Sequence, residues 1–302
     1  MKERHVDEIF QLLRVPKDSG KELNEMKLKQ FEDYEIITIK QDLEEISDRA
    51  SKQFSNENSM KKMKAEWAPL MFETSMPDGK DAYILTGEAV ENIQTVLDDH
   101  IIKTQTMKGS PFAKFMINEI DKWERVLIRT QDNLDLWLKV QNSWMYLEPV
   151  FSSEDIINQM PVEGAKFREV NIAWKDLMRR IHRDPEALTV IEMDELGSIL
   201  NGANEKLERV YKGLNDYLES KRALFPRFFF LSNDELLEIL SETKEPLRVQ
   251  PHLKKCFEGI AKLEFDDEKK IHGMYSIEGE LVPYTRIIDP IASKGQVEDW
   301  LV

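Results

Sequence analysis

Cysteine is nearly absent. Of 302 residues only Cys256 carries a thiol, so no internal disulfide can form, and the chain suits a reducing compartment. Glycine and proline number 12 each, too few for turn-dense all-β or low-complexity classes. Long apolar runs are missing as well. The longest, Phe228 to Leu231, falls far below the roughly 18 residues that a membrane span requires. Basic charge is in deficit, with 42 Lys and Arg against 57 Asp and Glu, a net charge of -15. Such a chain repels a phosphate backbone, so neither nucleic acid nor membrane is an expected partner. The opening MKERHVDEIF is amphipathic, and no secretory leader is expected from it.

Catalytic signatures are lacking too. A phosphate-cradling loop needs Gly-x-x-x-x-Gly-Lys-Ser/Thr. Asn201-Gly202 and Ser293-Lys294-Gly295 come nearest and neither completes it. The five histidines, His5, His100, His182, His252 and His272, have no metal-ligand spacing. No catalytic residue, cofactor or metal ligand is therefore assigned to this segment. Asp98-Asp99-His100 reads as a polar helix face, because charged runs are usually solvated. Lys254 and Lys255 could depress the Cys256 pKa, but a packed thiol beside Phe257 is the favoured reading.

What is abundant is charge, at 33% of residues, on apolar positions spaced for helices. Val6, Ile9, Phe10 and Leu13 form a short stripe that stops near Pro16 and Gly20. Leu43, Ile46, Ala50, Phe54, Met60, Met63 and Trp67 mark a longer helix, ended by Pro69 and a Met76-Pro77-Asp78-Gly79 turn. Val90, Ile93, Val96, Leu97 and Ile101 follow. After Gly109, Ser110-Pro111 is an N-cap residue with proline at the first helical position, and no breaker appears before Pro149. This spacing predicts one helix over 111–148, with Phe112, Phe115, Ile120, Trp123, Leu127, Leu134, Trp137, Gln141 and Trp144 on one face. Trp123, Trp137 and Trp144 differ by multiples of seven and share a seam, expected to be core and to stiffen the helix.

Further helices are expected after Ser153, from Pro161 through Phe167, Val170, Trp174, Leu177 and Ile181, and from Leu196 to about Arg222. Ser232 with Glu235 is a capping box. In Phe225 to Phe230, proline blocks the preceding helix and the aromatics predict a buried crossover. Arg227 is expected to anchor that crossover, paired to a carboxylate or to carbonyls at a helix end. Ile271–Ser276 and Glu280–Tyr284 alternate and predict a β-hairpin over 271–284. The expected fold is mainly α: an elongated, arched array of antiparallel helical bundles, divided as 1–108 and 109–302, with this one hairpin near the C-terminus.

The order of several long motifs resembles the linker region (N-terminal region 2) of dynein heavy chains. They are LDDHIIKTQTMKGSPF (97–112), WLKVQNSWMYLEPVFSSEDI (137–156), MPVEGAKF (160–167), YLESKRALFPRFFFLSNDELLEIL (217–240), VQPHLKKCFEGI (249–260) and the EGE of Glu278, Gly279 and Glu280. The wording FPRFFFLSNDELLEIL is most similar to axonemal inner-arm chains. The resemblance implies a lever that swings over an AAA+ ring of the same heavy chain to give the power stroke of ciliary and flagellar motility. It implies a non-catalytic piece of a microtubule-motor ATPase, ending just before the ring. ATP and magnesium would belong to that ring, microtubules would be reached only through the parent motor, and intermediate or light chains could bind upstream. In that setting Glu278, Gly279 and Glu280 become candidate ring-docking residues, with a local cap on the last helices as the alternative. Gly109, Ser110 and Pro111 become a candidate flex point, against bending spread over neighbouring helices. A free-standing helical scaffold or adaptor is the rival reading, because helical periodicity says nothing of motors.

Overall fold

The computed structural model describes residues 2–14, 37–241, 245–293 and 296–301. Pro16, Gly20 and Lys294-Gly295 lie outside the described residues. Helices dominate, as the spacing predicts. They are α1 (Glu3–Leu12), α2 (Lys40–Trp67), α3 (Gly87–Lys108), α4 (Ile117–Val150), α5 (Glu154–Gln159), α6 (Pro161–Arg183), α7 (Ala187–Glu192), α8 (Leu196–Leu224), α9 (Asn233–Ser241), α10 (Leu253–Cys256) and α11 (Glu298–Leu301). Five strands accompany them: β1 (Thr74–Ser75), β2 (Ile84–Leu85), β3 (Ile260–Phe265), β4 (Ile271–Ser276) and β5 (Leu281–Ile288).

Prolines set the irregular turns. The 3-10 turns Pro111–Met116, Pro226–Phe230 and Pro246–His252 all open on proline, whose missing N–H costs nothing at a helix start. The expected helix over 111–148 therefore begins as a 3-10 turn, and only from Ile117 is it α-helical. It also runs past Pro149 to Val150, because proline in the last turn removes a single backbone donor. The tighter start shifts the buried face. At three residues per turn Ala113 and Met116 point inward, whereas Phe115 is exposed, with the Arg4 guanidinium 4.0 Å from its ring centroid.

The described residues gather into two compact units. Met1–Ser75, Leu85–Asp132 and Ile181–Met193 form one; Met76–Ile84, Asn133–Arg180 and Asp194–Val302 form the other. Neither boundary falls at Gly109, and α4 supplies residues to both units.

In the first unit α1 lays Ile9 and Leu13 on Ile46 of α2. Met60, Met63 and Trp67 of α2 are buried alongside Ile93, Leu97 and His100 of α3. Phe54, expected in the stripe, is exposed. The segment after α2 is tied down by backbone bonds from Phe72 to the Pro185 carbonyl (2.8 Å) and from Ala187 to that of Leu70 (2.9 Å).

In the second unit Trp137, Val140, Trp144 and Leu147 of α4 are buried, as are Phe167, Val170, Trp174, Leu177 and Ile181 along α6. Trp144 stacks on Trp174 with ring centroids 5.9 Å apart. Its indole N–H donates to Asn171 Oδ1 at 3.0 Å. Leu196, Leu200, Leu207, Val210, Leu214 and Leu218 carry the stripe of α8, which ends two residues beyond the expected Arg222.

The hairpin forms as read, and a strand the periodicity did not reveal completes it. β3, β4 and β5 make an antiparallel sheet in that order. Only Leu263 of β3 is buried, so its sequence gives no alternating signal. The β3 backbone is engaged by a side chain. Gln250 accepts from the Leu263 N–H at 2.8 Å and donates to its carbonyl at 2.9 Å. Pro283 lies in the edge strand β5, the one place in a sheet where a missing donor is tolerated. Gly273 pairs with Pro283 because a Cβ there would meet the Val282 carbonyl oxygen at 2.7 Å.

Candidate functional site

The candidate residues fall on four separate features. The first is the aromatic seam. Trp123, Trp137 and Trp144 are all buried, so the reading of the seam as core holds. In the first unit Trp123 meets Trp67 edge-on, with centroids 6.4 Å apart at 86°. The Trp67 indole N–H donates to His100 Nδ1, and His100 Nε2 lies 2.8 Å from Glu66 Oε2. The imidazole hydrogen bond holds the Glu66 carboxyl below its ordinary value. Asp98 and Asp99 are exposed as expected, but His100 is completely buried. The spacing could have given it: His100 stands three residues after Leu97 and seven after Ile93, on the core face.

Gly109, Ser110 and Pro111 form the second feature. Gly109 caps α3 with ordinary helical dihedrals, and Ser110 Oγ accepts from the Phe112 N–H at 3.3 Å. The cap expected at Ser110 is present, and Pro111 stands first in the 3-10 turn. Lys108, just before them, reaches Asp121 at 2.8 Å and Glu124 at 2.5 Å on α4. Those two carboxylates raise the Lys108 ammonium above its usual value. The segment is thus clasped by a forked ion pair from one side.

The aromatic crossover is the third feature, and here burial departs from expectation. Phe225 and Phe228 are buried and pack edge to face, with centroids 4.8 Å apart. Phe229 and Phe230 are exposed, as is Arg227. A 3-10 turn eclipses residues three apart, so Phe225 and Phe228 share the inner face and the others point away. Arg227 does find a carbonyl at a helix end, donating to Cys256 at 2.8 Å, and stands 4.8 Å over the Phe257 ring. The buried guanidinium belongs to Arg222, which the sequence reading missed. It donates to the Leu231 carbonyl at 3.1 Å and Asn233 Oδ1 at 2.8 Å, and lies 3.0 Å from Glu219. The only signal was position: Arg222 follows Leu218 by four on the apolar stripe of α8. Cys256 is buried, which pushes its thiol up and makes it unreactive.

The fourth feature is the hairpin turn. Glu278, Gly279 and Glu280 are exposed at the tip between β4 and β5. Gly279 takes a φ of +87°, which L side chains rarely adopt. The Ser276 N–H closes the loop onto the Glu280 carbonyl at 2.9 Å. The two carboxylates have no printed ion-pair role in the turn and face solvent.

None of these features brings together a nucleophile, a base and an oxyanion donor. Among the described residues no group of three or more His, Cys, Asp or Glu side chains could hold a metal ion. No described helix is long and apolar enough to cross a membrane. Fold and candidate residues together define a helical structural segment of a larger protein class, built of packed tryptophan-rich helices.

The family model for "Dynein heavy chain, N-terminal region 2" matches residues 1–302, and the chain belongs to that family. It is 56% identical over 259 residues to dynein axonemal heavy chain 3 of Mus musculus, covering 86% of this chain and 6% of that protein. It is 49% identical over 305 residues to dynein axonemal heavy chain 12 of Homo sapiens, covering 100% of this chain and 10% of that protein. Dynein axonemal heavy chain 1 of Homo sapiens is 43% identical over 259 residues. The chain thus spans a tenth or less of the length of these relatives.

Proposed function

We propose that this chain is the mechanical linker of an axonemal dynein heavy chain, moving over an AAA+ ring of the same polypeptide to produce the power stroke of ciliary and flagellar motility. The observation that carries the reading is α4. Its 34 residues make an uninterrupted rod of about 51 Å, more than one small domain can bury. Buried tryptophans along it supply the large contact areas that resist bending. Axonemal placement rests on the relatives, whose names carry that word.

In this reading ATP and magnesium act in the ring, and microtubules are reached only through the parent motor. The exposed turn of Glu278, Gly279 and Glu280 is the docking element for the ring, and Gly109, Ser110 and Pro111 the compliant break before the rod. Titration calorimetry of the 302-residue chain with magnesium-ATP tests the division of labour. The reading expects no binding heat. Saturable micromolar binding would replace the lever with a nucleotide-binding role.

A further inference from the structure

One buried ion pair stands apart from the lever. Lys221 of α8 meets Glu298 of α11 at 2.5 Å, and their side chains are only 6% and 5% exposed. No other ion pair among the described residues has both partners so deeply buried. Lys221 also donates to Gln296 Oε1 at 2.6 Å. Both of these hydrogen bonds go to the last stretch of the chain. Its ammonium lies 5.5 Å from the Tyr217 ring centroid, an attraction strengthened by exclusion of water.

The segment held in this way has little of its own to keep it in place. α11 is four residues long, far below the length at which a helix sustains itself. Apart from the pair, Val297 and Leu301 are its buried apolar side chains. The pair is also under-satisfied: Glu298 Oε2 is buried with no hydrogen-bond partner among the described residues. A half-satisfied buried carboxylate regains hydration when it leaves, so the pair contributes register more than stability. Trp300 and Leu301 form one wall of an apolar cavity of about 430 Å³, whose other walls include Phe257, Leu263, Ile271 and Met274.

We propose that Gln296–Leu301 is a charge-latched strap, set in register by the Lys221–Glu298 pair, whose release opens the apolar cavity beside the sheet. Detachment removes one wall and presents the sheet face to any apolar side chain that reaches it. The strap lies within one unit and does not depend on the lever reading.

Amide hydrogen exchange on the 302-residue chain, with anilinonaphthalene sulfonate as the cavity probe, tests this. Glu298→Gln should speed exchange over Gln296–Leu301 by about tenfold, raise dye fluorescence and leave the middle of α8 protected. The charge swap Lys221→Glu with Glu298→Lys should restore both readouts. Glu298→Asp keeps the charge but withdraws it by one methylene, and should give a severalfold acceleration without disturbing the fold. Exchange and dye binding unchanged in both Glu298→Gln and Glu298→Asp would overturn the latch. So would a folded charge-swap protein whose strap exchanges as fast as in Glu298→Gln.

Discussion

The Trp67 indole N–H donates to His100 Nδ1 across 3.0 Å, with both side chains completely buried. That bond fixes the tautomer. Nδ1 must be the acceptor, so Nε2 carries the proton and directs it at Glu66. His100 is thus a structural joint between α2 and α3 and has no free nitrogen for chemistry. His100→Leu leaves the Trp67 donor buried without a partner and should cost about 1–3 kcal/mol. Thermal melts should then find that adding Trp67→Phe recovers part of the loss, because the orphaned donor is gone. A His100→Leu protein as stable as its parent would mean that the indole hydrogen bond contributes nothing.

The two arginines at the end of α8 should behave oppositely. Arg222 is buried and bonds the Leu231 carbonyl and Asn233, so Arg222→Ala should destabilise by about 3 kcal/mol. Arg227 is exposed and makes one carbonyl bond with a ring contact, so Arg227→Ala should cost about 1 kcal/mol or less. Urea midpoints of the two variants check the order. A reversal would return Arg227 to the buried role expected of it from the sequence.

Acid should loosen the start of α9. The Lys255 ammonium, then the Ser232 backbone N–H, hold the Glu235 carboxyl down to about 2. A carboxyl depressed in the folded state contributes stability that is full above its ordinary value of 4.5 and is lost as pH falls through about 2. Protection of the α9 amides should therefore weaken over that window, and Glu235→Gln should flatten the dependence. Ser232→Ala, which removes the reciprocal cap, should cost about 1 kcal/mol at neutral pH.

Gly273→Ala should disrupt the β4–β5 pairing, because its Cβ would stand 2.7 Å from the Val282 carbonyl oxygen and 3.1 Å from the Pro283 Cα. Backbone atoms on the facing strand cannot swing aside as a flexible side chain would. Exchange measurements should find the loss confined to the sheet, with the α4 tryptophan region unchanged. Uniform loss of protection would instead tie the sheet to the rest of its unit.

Periodicity read most of this fold because burial here follows helical phase. The faces of α6 and α8 and the Ser232–Glu235 cap were legible for that reason. It failed where the period changes. The 3-10 turns at Pro111 and Pro226 advance by three residues rather than 3.6, which turned Phe115, Phe229 and Phe230 outward. It failed again where charge is buried. Lys221 and Arg222 sit at core positions on α8, but their partners at Glu298 and Leu231 are fixed only by tertiary structure. The strand Ile260–Phe265 escaped because its pairing partners, not its own alternation, make it a strand.

The hairpin turn gives the ring-docking idea its own test. Glu278→Lys with Glu280→Lys should lower gliding velocity in the full motor, with the isolated chain melting as before, since both carboxylates are exposed. Unchanged velocity would make the turn a local cap on its neighbours.

The lever itself is tested by breaking the rod where no contact is lost. Asp132 is an exposed residue within α4, so Asp132→Pro removes one backbone donor and should kink the helix at a cost of about 3 kcal/mol. The deciding measurement is microtubule gliding velocity against ATP turnover in the full heavy chain carrying Asp132→Pro. A force-transmitting rod predicts turnover near the parent value with velocity sharply reduced. Velocity and turnover both at the parent value would contradict the account.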